Sequence, residues 1–173
     1  LRDIDNELLP ATTMQKNCYK NMFKSSGIRH KGTVIIGGGA NPLMALPAMT
    51  LAEGCYEGMF SYCTGIISSL ITLPATTLAK NCYREMFAYD TGMLLPPSIS
   101  ATTLAEGCCF NMFMECTELT RTPELAATTL AKQCYTQMFY GCTNLSAVST
   151  LPAMTMADEC YAAMFCNCTR LEA

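Results

Sequence analysis

The segment Thr77-Leu78-Ala79-Lys80-Asn81-Cys82-Tyr83-Arg84-Glu85-Met86-Phe87 decides how the chain is read, because its key residues return throughout. Leu78, Cys82 and Met86 stand at i, i+4 and i+8, with Ala79, Tyr83 and Phe87 beside them. That spacing predicts a helix of about three turns with one buried stripe. Thr77 is placed to be its N-cap, the hydroxyl accepting a bond from a free backbone N–H. Thr50/Glu53, Thr103/Glu106 and Thr155/Asp158 add an acid three residues on, at or near the capping-box spacing.

The segment is one copy of six. Met-Phe occurs at Met22, Met59, Met86, Met112, Met138 and Met164, each four residues after a Cys (Cys18, Cys55, Cys82, Cys108, Cys134, Cys160). The steps between these cysteines are 37, 27, 26, 26 and 26 residues, and a Thr lies five positions before every one. Such a fixed period is the signature of a stacked repeat architecture. Pro10, Pro47, Pro74 and Pro152 keep the approach to the Thr extended. After the expected helix, a Cys-Thr-x-Leu pattern, as in Cys116-Thr117-Glu118-Leu119 and Cys142-Thr143-Asn144-Leu145, reads as a turn into a short strand. Apolar residues recur there at Ile66, Met93, Leu119, Leu145 and Leu171. Each unit of about 26 residues is thus expected to hold one short strand and one short helix. Strands stack about 4.8 Å apart and helices need about 8–10 Å, so the array should bend. The expected class is α/β, a right-handed curved solenoid. Residues 1–173 form one domain of six repeats, with an irregular insertion at 24–45.

The units resemble the BspA-type leucine-rich repeat of bacterial surface proteins, on Leu-Pro-Ala-Thr-Thr-Leu-Ala followed by Cys-Tyr-x-x-Met-Phe-x-x-Cys-Thr-x-Leu. The resemblance covers nearly all of the chain outside 24–45. It departs where the first unit lacks the second Cys, where Asp90 replaces that Cys, and where Cys109 replaces the Tyr. It implies a leucine-rich-repeat solenoid and an extracellular or cell-surface location, often with adhesive or host-contact roles.

Composition narrows function by exclusion. Half of the residues are apolar, 14% are charged and the net charge is −3, which leaves no basic patch for nucleic acid. His30 is the single His, so mixed Cys/His zinc sites and His-based catalysis are disfavoured. Of the 12 Cys, ten fall in two repeat columns, the second being Cys63, Cys116, Cys142 and Cys168. Cys109 and Cys166 stand outside them. No Cys-x-x-Cys pair occurs, and the columns read as ladders of small buried thiols. The residue two before each column Cys alternates in sign: Lys16, Glu53, Lys80, Glu106, Lys132, Asp158. This predicts a surface row of ion pairs that sets register. In the insertion, Arg29-His30-Lys31 is basic and Gly37-Gly38-Gly39 follows Val34-Ile35-Ile36, yet neither a phosphate loop nor a dinucleotide fingerprint is completed. The apolar stretch 34–49 is too broken by Gly and Pro to span a membrane. Leu1-Arg2-Asp3-Ile4-Asp5 is no signal peptide, and the chain reads as a trimmed fragment.

The expectation is therefore a non-enzymatic protein-binding or adhesion module, without catalytic residues, cofactor or metal. The partner is expected to be a protein or host-surface ligand, or a larger membrane-associated assembly. Glu118, Thr120, Asn144, Ser146, Arg170 and Glu172 flank the strand apolars and form the candidate partner-binding face. The alternative is a structural spacer in a bacterial surface or envelope assembly. The last repeat ends soon after Leu171 without a polar cap, so further chain or a partner is expected to cover it.

Overall fold

The computed structural model describes residues 9–27, 44–64, 66 and 71–172. Most of the insertion, with Arg29, His30, Lys31 and the Gly run, lies outside them.

The expected helices do not form. No helix occurs among the described residues, and none is long and apolar enough to cross a membrane. The hydrogen bonds give the reason. Cys82, Arg84, Met86, Ala88 and Asp90 donate their N–H to the carbonyl three residues back, at 3.1–3.2 Å, which is the reach of a turn. The residues between them, Asn81, Tyr83, Glu85, Phe87 and Tyr89, donate instead to Glu106, Cys108, Phe110, Met112 and Met114 of the next unit, at 2.7–3.1 Å. Half of the peptides thus close turns inside a layer and half join layers.

Each spiral is a run of overlapping turns. Asn81, Glu85 and Tyr89 have φ of 53°, 54° and 63°, so every second turn has a left-handed third residue, as in type II. Every positive φ of the described residues falls in one of three columns: one before, three after and seven after the column Cys. The backbone repeats every four residues. Side chains at i, i+4 and i+8 therefore share a side, as they would on a helix, and the apolar stripe is explained without one.

The Thr column is not a set of N-caps. Thr13 bridges Thr50, Thr77 bridges Thr103 and Thr129 bridges Thr155, all in parallel. The strands lie just before this column rather than after Cys-Thr-x-Leu. They are β1 (Met44–Ala45), β2 (Ile71–Leu73) and β3 (Ser98–Ile99), in one parallel sheet of order β1-β2-β3. Thr72 of β2 pairs with Ala45 and with Ser98. The expected α/β solenoid with one helix per repeat, bent by a mismatch between helix and strand spacing, is thus overturned. Both sides of each layer are hydrogen-bonded to the next, so the mismatch has no source.

Identical residues stack in the core. Phe60, Phe87, Phe113 and Phe139 are fully buried, with successive ring centroids 5.5–5.6 Å apart and planes within 13°. Met59, Met86, Met112 and Met138 run beside them, also fully buried. A Tyr stack joins Tyr19, Tyr56 and Tyr83, and resumes at Tyr135 and Tyr161. Cys109 fills the gap where the fourth unit has no Tyr.

Candidate binding face

The arms that link one spiral to the next carry the expected face. Leu119 and Leu145 are fully buried, while Glu118, Thr120 and Ser146 on either side are exposed and Asn144 is half-buried. Arg170 and Glu172 are exposed about the half-buried Leu171. Two rows result. In one, Arg170 Nη1 donates to Asn144 Oδ1 at 3.2 Å. In the other, Thr120 N–H donates to Leu94 O at 3.2 Å and Ser146 N–H to Thr120 O at 3.1 Å. The hydroxyls of Thr120 and Ser146 follow, donating to the same two carbonyls at 3.0 and 3.4 Å. Much of the polar capacity of these side chains is therefore spent within the stack.

Beside the second row lies a groove of about 520 Å³ that the sequence did not single out. Pro96, Ile99, Arg121, Pro123, Glu124 and Val148 line it. A parallel bridge between Arg121 and Ala147 fixes two of the three arms that form it. Ser149 pins its rim, its N–H donating to Thr122 Oγ1 at 2.8 Å and its hydroxyl to Glu124 Oε1 at 3.1 Å. Val148 is 42% exposed and Leu94, in the row alongside, 60%. The available signal was negative: Leu95-Pro96-Pro97, Arg121-Thr122-Pro123 and Ala147-Val148-Ser149 are where the repeat stops repeating.

Ten of the twelve cysteines are buried in the stack, while Cys18, expected in the buried ladder, and Cys166 are exposed. Burial pushes the Cys55 thiol up to about 11 and the Cys134 thiol up to about 12, and it raises Cys82 and Cys116 as well. Thiols held protonated are poor nucleophiles and poor ligands. The second-column thiols serve as donors: Cys63, Cys116, Cys142 and Cys168 reach the carbonyls of Phe23, Phe87, Phe113 and Phe139 at 3.0–3.2 Å. Asp90 takes the corresponding place in the third unit. It is fully buried; Oδ1 accepts the Gly92 N–H at 3.3 Å and Oδ2 has no hydrogen-bond partner among the described residues. Burial pushes its carboxyl up to about 7. Among the described residues, no group of three His, Cys, Asp or Glu side chains is placed to hold a metal ion.

Of the expected surface row, two ion pairs form, Lys16–Glu53 at 2.9 Å and Lys80–Glu106 at 3.0 Å, and Lys16 holds the Glu53 carboxyl below its usual range, whereas Lys132 and Asp158 make no ion pair among the described residues. No family model, curated protein or solved structure matches the chain.

Proposed function

We propose that the chain is a non-enzymatic binding module that takes a protein or host-surface ligand on its linking arms. The observation that carries this reading is the groove between residues 96–99, 121–124 and 147–149, which sets the exposed Val148 and the half-buried Pro96 and Ile99 beside Arg121 and Glu124. Apolar anchors next to an Arg are the usual make-up of a protein-binding spot. The rigid stack behind the arms supplies pre-organisation, which lowers the entropy lost on binding. The resemblance of the repeat to bacterial surface proteins supports a place outside the cell.

An array of host surface proteins, probed with the purified chain and with two variants, tests the reading. Arg121→Glu with Val148→Asp should abolish a specific signal, while Lys80→Glu on the spiral should leave it intact. Equal binding by both variants, or no specific binding by the unaltered chain, would overturn it.

A further inference from the structure

The position seven residues after the column Cys holds Ser25, Tyr62, Tyr89, Glu115, Gly141 and Asn167. Its letters differ from unit to unit except in the second and third units, which both place a Tyr there. Both tyrosines take left-handed backbone, φ 61° and 63°, which a bulky residue seldom adopts. Tyr62 N–H donates to Ala88 O at 2.9 Å, so the two layers are joined beside the pair.

The two rings stack with centroids 4.4 Å apart and planes within 6°. The other stacked pairs among the described residues are wider, at 5.5–6.0 Å. Three of these join tyrosines, Tyr19–Tyr56, Tyr56–Tyr83 and Tyr135–Tyr161, and each includes a ring at most 2% exposed. By contrast, Tyr62 is 47% exposed and Tyr89 is half-buried. Burial and the adjoining Tyr62 hydroxyl raise the Tyr89 phenol above its usual range, which sets the two hydroxyls at the same end of the pair. The ring carbons ortho to those hydroxyls then face each other as well. Of the tyrosine pairs, this one alone combines close contact with access from solvent.

We propose that Tyr62 and Tyr89 form an oxidative cross-linking site, at which a peroxidase using hydrogen peroxide joins the second and third units through a dityrosine bond. Each phenol gives up one electron and its hydroxyl proton. The two phenoxyl radicals couple through the ring carbons ortho to oxygen, forming one C–C bond. Two ring C–H bonds then break as their protons return to the oxygens. The chain loses two hydrogen atoms overall, and those two electrons and two protons reduce one peroxide to two waters. The bond joins residues 27 positions apart, so it restricts the unfolded chain as a disulfide would.

Treatment of the purified, dilute chain with a haem peroxidase and limiting peroxide tests the proposal. The monomer is isolated, digested and mapped by mass spectrometry. Dityrosine fluorescence in the monomer and one dominant linked peptide pair, Tyr62 with Tyr89, are the expected result. The linked monomer should unfold at a higher urea concentration than the untreated chain. Tyr62→Phe and Tyr89→Phe should each abolish the link. Tyr140→Phe should keep it at the parental yield, because Tyr140 is held by Asn167 Nδ2 at 2.9 Å rather than stacked on a second phenol. Oxidation in urea should lose the preference for this pair. Links spread over the other tyrosines, an equal yield in urea, or oxidation confined to the thiols and to Met114, whose Sδ lies 3.9 Å from the Tyr89 hydroxyl, would each overturn it.

Discussion

Two stretches of the third unit, the spiral from Ala79 to Asp90 and the arm from Leu94 to Thr103, show two ways of holding a layer in place. In the spiral, peptides bond alternately within the layer and to the next one. In the arm the backbone bonds between described residues run from layer to layer, as Ser100 N–H to Leu73 O and Thr102 N–H to Thr76 O. The spiral is a net bonded in two directions, closed over Met86 and Phe87, both fully buried. The arm is a ladder bonded in one direction, with Leu94 60% exposed at its start. A net that fixes turn geometry and inward packing together tolerates little change, so its letters recur in every unit. A ladder asks only for extended backbone, and its side chains are free to differ. That freedom is why the groove sits on the arms.

The comparison breaks if spiral and arm are equally tolerant. Phe113→Ala should cost about 3–5 kcal/mol, the range for emptying a buried aromatic site. Val148→Ala on the arm should stay within about 0.5 kcal/mol. Urea unfolding of the two variants decides, and similar losses would contradict the division.

Where spiral meets arm, Asp90 sharpens the comparison through pH. With its folded pKa at about 7, the native state keeps this proton while an unfolded carboxyl releases it near pH 4. Its contribution to stability is therefore greatest below about pH 4 and is lost as pH rises to about 7. At roughly 1.4 kcal/mol per pH unit, the loss reaches up to about 4 kcal/mol. Asp90→Cys, which restores the column thiol, should be the more stable protein at pH 8 and should lack this slope. Parallel stability–pH curves for variant and parent would contradict the assignment.

A smaller effect is expected inside the spiral. Gly107 has a φ of 59°, and a Cβ there would collide with Oδ1 of Asn81 in the layer before. Gly107→Ala should cost about 1–2 kcal/mol through backbone strain and this contact. Thermal unfolding measures it, and an unchanged midpoint would argue against the left-handed geometry.

The sequence showed which residues recur and which way they face, but not the backbone that turns them inward. Leu78, Cys82 and Met86 are four residues apart, a spacing shared by a helix of 3.6 residues per turn and a spiral of four. Over three turns the two drift too little to separate by apolar residues alone. The distinguishing letters lay in the polar columns. Asn17, Gly54, Asn81 and Gly107 precede the column Cys, and Asn21, Gly58 and Asn111 follow it by three. Asn and Gly are the residues that most readily accept positive φ, and both weaken a helix interior. Glu85, Gln137 and Ala163 at the same positions blurred the signal, because all three are good helix formers. The face residues Thr120 and Ser146 were legible from their alternation about Leu119 and Leu145. The groove beside them was not, since it arises from three arms that share no letters.

Ala163 offers the most direct test of the turn spiral. It is exposed, with a φ of 48°, so replacing it changes the backbone and little else. In a left-handed position Gly is favoured over Ala by about 1 kcal/mol, whereas in a helix interior Gly costs about 1 kcal/mol. The two structures thus predict opposite signs for one substitution. Denaturant unfolding of Ala163→Gly should show a protein about 1 kcal/mol more stable than the parent; a loss of about 1 kcal/mol would contradict the spiral and restore the helix.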